Sequence, residues 1–214
     1  MKVVKFVLSQ LISLACLCLF VILWNACGGN KITASADIPS GTFTDNRDGQ
    51  IYSWVILKDG KKWMSKNLNY ETPDSWCYNE ASNNCEEHGR IYTWAAAHKA
   101  CPKGWHLPTD DEWFNMSKHY GKVADASKNK LTFKGGQTAY HKLVGSEKGK
   151  FVSSFSGNRT NKGAYLSLNE MATFWSDTPG SQKAMYYLFS TKYKKLSRFS
   201  MFKTYGMSCR CVED

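Results

Sequence analysis

The chain predicts an α+β domain with two short helices near its N-terminal half packed on short, mostly antiparallel, twisted strands. Three observations carry this expectation. Residues 50–57 are rich in β-formers and lead into Lys58-Asp59-Gly60-Lys61, the Asp-Gly pair of a tight hairpin, with a return at residues 62–64. Thr109 is followed three residues later by Glu112, the capping box that opens a helix. Beyond residue 170 the chain breaks into brief aromatic runs that read as strands.

Taken in order, residues 45–66 read as paired strands. Residues 71–89 read as a loop, punctuated by Pro73, Asp74 and Asn83-Asn84. Residues 91–100 contain Trp94-Ala95-Ala96-Ala97 and read as the first helix, because alanine gives up least on becoming helical. The second helix starts at Thr109, where Trp113, Met116 and Tyr120 recur at helical spacing before a stop at Gly121. A basic, glycine-interrupted middle reads as solvated surface. Residues 173–176, 184–190, 196–202 and 205–212 read as strands, and no repeat of fixed period occurs.

Composition bounds the function. At 214 residues, 43% hydrophobic and 21% charged, the chain holds one domain or two small ones, which excludes wholesale disorder and a multi-span membrane protein. The N-terminus reads as an address. Lys2 and Lys5 precede an apolar stretch over residues 6–26, the pattern of an export signal. It ends in Ala26-Cys27-Gly28-Gly29, a small residue before a cysteine, which resembles a bacterial lipobox, with Trp24 where leucine is usual. Residues 1–26 are therefore the expected lipoprotein-type signal peptide and Cys27 the lipidated residue. Residues 27–40 are a polar tether and residues 41–214 the domain. An uncleaved anchor or plain cleavage would export the domain equally. The expected location is the cell envelope at the outer membrane, with a lipid anchor as the membrane contact.

Losing residues 1–26 lowers the net charge from +10 to +8. Lys128, Lys130, Lys134, Lys142, Lys148, Lys150 and Lys162 lie in one stretch with few acids, where a solvated loop surface is the plain reading and contact with anionic polysaccharide or lipid the functional one. Lysine without interleaved arginine and aromatics argues against nucleic acid. After processing, five cysteines remain, and by themselves they allow fifteen two-bridge patterns with one thiol over. An oxidising compartment favours bridges.

Catalytic patterns are absent. His88, His98, His106, His119 and His141 have no tight metal-ligand spacing, and His106 reads as a packed turn residue. The chain has no nucleophile elbow and no phosphate-cradling glycine loop. Asp110-Asp111-Glu112 fits the first turn of a helix, whose positive end favours carboxylates. No cofactor or metal is expected.

One ordered series of motifs is more specific. Gly41-Thr42-Phe43-Thr44-Asp45, Asp48-Gly49-Gln50-Ile51-Tyr52, Trp63-Met64 and Asn67-Leu68-Asn69-Tyr70 precede Ser75-Trp76-Cys77-Tyr78 and Tyr92-Thr93-Trp94. Cys101-Pro102, Gly104-Trp105-His106-Leu107-Pro108-Thr109, Phe174-Trp175-Ser176 and Arg210-Cys211-Val212 follow. The series resembles the Fibrobacter succinogenes major paralogous domain family over nearly the whole exported chain. That resemblance implies a C-type-lectin-like fold, related to formylglycine-generating enzymes, and an exported lipoprotein. It also implies the bridges Cys77–Cys85 and Cys101–Cys211. Cys209 departs from relatives, which carry an apolar residue there. It reads as a buried free thiol, with a rearranged pairing as the rival. The related enzymes use a C-terminal cysteine pair, so a thiol or copper enzyme is the most distant reading, and the one-residue spacing of Cys209 and Cys211 departs from theirs. Calcium–sugar lectin motifs are missing, Trp175-Ser176-Asp177 being the nearest echo. What remains is a non-catalytic binding or adhesion module for polysaccharide, with Trp76, Tyr78 and Trp175 as candidate stacking rings. The alternative is a structural envelope lipoprotein that contacts another envelope protein.

Overall fold

The computed structural model describes residues 38–121, 136–145 and 151–214. Cys27, the signal segment and most of the tether lie outside the described residues, as do Lys128, Lys130, Lys134, Lys148 and Lys150.

The hairpin elements fold where the turn chemistry places them. Strand β1 (Ser40–Thr44) pairs antiparallel with β2 (Ile51–Ile56), which pairs with β3 (Lys62–Met64). Gly60 has φ of 80°, the left-handed conformation an Asp-Gly turn needs, and Leu57 N–H donates to Lys61 O at 3.0 Å to close it. Two further strands complete this sheet: β6 (Trp105–His106) and β13 (Val212–Glu213), in the order β1-β2-β3-β13-β6.

A second sheet has six strands: β4 (Ser75–Trp76), β5 (Ile91–Tyr92), β9 (Met171–Pro179), β10 (Lys183–Ser190), β11 (Lys195–Phe202) and β12 (Met207–Ser208). Their order is β11-β10-β9-β12-β5-β4. Every pairing is antiparallel except β12 with β9. The separate hairpin of β7 (Asn158–Arg159) and β8 (Tyr165–Leu166) docks on this sheet through paired backbone hydrogen bonds between Arg159 and Gly206 at 2.9 and 2.8 Å.

The helices are α1 (Ser82–His88), α2 (Trp94–Ala100), α3 (Asp110–Lys118) and α4 (Gly136–Leu143). The class is α+β, but the helix expectation needs correcting at two places. Residues 82–88, read as loop, are helical despite poor local propensity, because Cys85 is bonded to Cys77 and buried beneath the turn. Residues 136–143, read as basic surface, turn Ala139, Tyr140 and Leu143 into the core. The capping box of α3 forms with both arms: Glu112 N–H donates to Thr109 Oγ1 at 3.2 Å, and Thr109 N–H donates to Glu112 Oε2 at 2.8 Å. Residues 205–212 read as one strand but split into β12 and β13, so the chain passes from one sheet to the other.

Alternation along the strands serves two apolar clusters. Phe174 of β9 packs with Trp63, Trp113, Phe151, Tyr187 and Phe189, whereas its neighbour Trp175 packs with Tyr52, Met64, Tyr92 and Met207. Trp113 is the hub of the first, stacked 5.0 Å from Tyr187 and 5.5 Å from Phe174. Both helix and sheet thus bury the aromatic load between them.

Candidate functional site

Strand β4 is the outer strand of the six-stranded sheet, and its Trp76 is half-buried there, opposite Ile91. The β7–β8 hairpin reaches this edge. Its Arg159 places the guanidinium carbon 4.0 Å from the Trp76 ring centroid and 5.6 Å from that of Tyr165, its own cross-strand partner. Tyr165 lies 5.1 Å from Tyr78 and donates its hydroxyl to Glu80 Oε1 at 2.5 Å. Burial and this bond to Glu80 push the Tyr165 phenol up to about 12. Two rings, a guanidinium and a carboxylate therefore form one surface, with Tyr78 beneath.

The backbone around this surface is unusual. Asp74, Asn79, Glu80 and Ser167 have φ between 54° and 62° without being glycine, and each lies within two residues of Trp76, Tyr78 or Tyr165. Left-handed backbone at side-chain-bearing residues costs free energy that the surrounding fold must over-determine. Here the Cys77–Cys85 bridge and the Arg159–Gly206 pairing supply that constraint. Gly157 and Gly206 permit the close approach: a Cβ on Gly206 would lie 2.5 Å from Ile91 Cγ2 and 3.0 Å from Arg159 Cβ.

Trp76 and Tyr78 are thus brought together, while Trp175 is not. Trp175 has no exposed surface and donates its indole N–H to Tyr92 O at 2.9 Å, so it is a core ring and not a stacking platform. Tyr78 is only 8% exposed and supports Tyr165 without presenting a face of its own. Arg159, Tyr165 and Glu80 were missed by sequence reasoning, since nothing local joins residues some eighty positions apart.

Two other clusters have chemistry of their own. Cys77 is bonded to Cys85 and Cys101 to Cys211, the pairs the family resemblance implies, and Cys209 is a buried free thiol. Its Sγ lies 3.8 Å from Cys101 Sγ and 4.0 Å from Cys211 Sγ. These near-equal distances put the thiol broadside to the bridge instead of in line for displacement, and burial pushes its pKa up, away from the nucleophilic thiolate. With the bridge reduced, these three sulfurs are the group among the described residues able to hold a soft metal ion. Next to them Arg210 is fully buried, its guanidinium near the Phe151 and Phe174 rings and donating to Asn67 Oδ1 at 2.9 Å and to Phe151 O.

The reading of His106 also needs correcting. It is no packed turn residue but lies partly exposed on β6, clamped by Asp214 at Nδ1 (2.7 Å) and Glu112 at Nε2 (3.1 Å). Lys61 reaches the same Glu112 at 2.7 Å. Burial alone would raise the Glu112 carboxyl, but hydrogen bonds from Lys61, Thr109 and His106 outweigh it and bring the pKa down to about 2. The arrangement ties Asp214 to the start of α3.

Fold and bridges define a small α+β domain stapled by two disulfides, with a constrained aromatic surface at one sheet edge. It belongs to the Fibrobacter succinogenes major domain family, which matches residues 52–213. No curated protein and no solved structure matches the chain.

Proposed function

We propose that this chain is an exported, lipid-anchored envelope protein acting as a non-catalytic binding module for polysaccharide. Its contact surface is the edge formed by Trp76, Arg159, Tyr165 and Glu80. The observation that carries the reading is the Trp76–Arg159–Tyr165 cluster, half-exposed rings held by strained backbone at a place where core packing does not require them. Sugar rings present C–H faces that pack on such aromatics, and their hydroxyls pair with flanking polar groups.

Full chain in nonionic detergent should be retained by at least one member of a panel of plant and bacterial polysaccharides. Trp76→Ala should weaken that binding about tenfold, the scale of one lost aromatic contact. Failure of the whole panel removes the reading. Anchoring is tested separately: wild-type cells should incorporate labelled palmitate into the protein, and Cys27→Ser should abolish it.

A second reading is a structural lipoprotein that contacts another envelope protein. Exposed Phe199 and Phe202 on the outer strand β11, with Tyr193 beside it, favour it. Photo-crosslinking from position 199 to a single protein, with no polysaccharide bound, would establish this alternative over the first.

A further inference from the structure

The charge layout of the Trp76 edge narrows the ligand class, and the step rests on the binding reading above. Arg47, Arg90 and Arg198 each pair with a carboxylate, those of Asp45, Glu71 and Asp110, and Arg210 is fully buried. Arg159 differs. It is half-exposed, and among the described residues no carboxylate forms an ion pair with it. Its Nε is buried without a hydrogen-bond partner. Because the guanidinium lies over Trp76, its π-face is used; one side-chain hydrogen bond goes to Tyr165, Nε is buried, and the remaining Nη–H donors are left for a planar acceptor.

The other pole of the surface is negative. Glu80 accepts the Tyr165 hydroxyl and is otherwise exposed, so its remaining lone pairs can take hydrogen bonds from outside hydroxyls. Exposed Lys162, in the turn between β7 and β8 and three residues from Arg159, adds positive charge to this hairpin. A ligand with a carboxylate at one end and hydroxyls at the other would lie across Tyr165 in one direction only, since Glu80 repels the carboxylate.

The geometry points to a hexuronate residue of an acidic polysaccharide as the ligand, its carboxylate forked on Arg159, its ring on Tyr165 and Trp76, and its hydroxyls on Glu80. A neutral hexose would leave the Arg159 donor edge unpaired, and a methyl-esterified uronate would lack the charge. No covalent step is involved.

The test is calorimetric titration of the full chain in nonionic detergent with tri-galacturonate, its methyl ester and cellotriose. Tri-galacturonate should bind, and the other two at least about tenfold more weakly, the scale of a lost charged hydrogen bond. Arg159→Gln and Arg159→Lys should both lose about tenfold or more, the lysine because it cannot stack and fork at once. Lys192→Gln, the same charge change at an exposed position in the turn between β10 and β11, at the edge of the sheet opposite β4, should lose less than about twofold. Equal losses in Arg159→Gln and Lys192→Gln would mean diffuse attraction to a basic protein and would overturn the proposal. Binding of cellotriose that needs Trp76 but not Arg159 would sink the uronate assignment and leave the binding reading standing. Binding of no saccharide at all would end both. Near-ultraviolet circular dichroism of each variant verifies that the aromatic core is intact, and Arg159→Lys keeps the test open should Arg159→Gln misfold.

Discussion

Replacing Cys211 with alanine should leave the long loop closed. In the chain-entropy account, a cross-link spanning 110 residues contributes about 4.8 kcal/mol at 25 °C, against about 2.5 kcal/mol for the 8-residue Cys77–Cys85 loop. Cys209 already lies 3.8 Å from Cys101 Sγ. Refolded in a glutathione redox buffer, the variant should therefore form a Cys101–Cys209 bridge whose loop is almost the same length. Native burial disfavours the Cys209 thiolate, so the new bond should form during refolding and not in the folded protein. Drawing the sulfurs together strains the final segment, and the expected loss is at most about 2 kcal/mol. The double variant Cys209→Ala/Cys211→Ala should lose the full contribution of about 4.8 kcal/mol. Urea unfolding gives both stabilities, and non-reducing peptide mapping locates the bond. If the single variant is as unstable as the double, or if its Cys101 and Cys209 are both alkylated after denaturation, the reasoning fails.

Other expectations follow from single contacts. Gly206→Ala should destabilise by about 1–3 kcal/mol, because the added methyl overlaps Ile91 and displaces Arg159, and a lowered urea midpoint should accompany weakened saccharide binding. Asp110→Ala removes the carboxylate shared by Arg198 and the Tyr187 hydroxyl and should cost about 2–3 kcal/mol in the same assay; a loss below about 0.5 kcal/mol would show the pair to be idle. Glu112 has a folded pKa below its ordinary value of 4.5, so its stabilising contribution is complete above that pH and disappears as pH falls toward 2. Glu112→Gln should accordingly be less stable than wild type at pH 6 by about 1 kcal/mol and should converge with it near pH 2; a pH-independent difference would refute the assignment.

How much of this was legible depends on how local the cause is. The Asp59-Gly60 hairpin and the Thr109–Glu112 cap follow from residues within three or four positions of each other, and both form as read. Helix α1 does not, because Ser-Asn-Asn-Cys-Glu-Glu-His has little reason to coil except for the bridge at Cys85. Helix α4 left a readable trace in Ala139, Tyr140 and Leu143, hidden under the surrounding lysines. Composition cannot separate Trp76 from Trp175; only the sheet does, one ring at an edge and the other inside. A usable signal for the site lay in the cations. The chain has 23 lysines and five arginines, and every arginine makes a specific planar contact, which is what its fork is suited to. On that ground the five arginines, Arg159 among them, are the cations to weigh first, and the structure alone separates Arg159 from the rest.

Strand β12 lies between β9 and β5, and β13 between β3 and β6, so residues 207–213 are interior to both sheets. A ribosome-bound chain lacking them has a gap in each layer and no partner for Cys101. Closure must wait until residues 207–213 have been made, which keeps the growing polypeptide open until then. A chain cut before residue 207 would not be a trimmed protein; it would lack its keystone and be fit mainly for proteolysis.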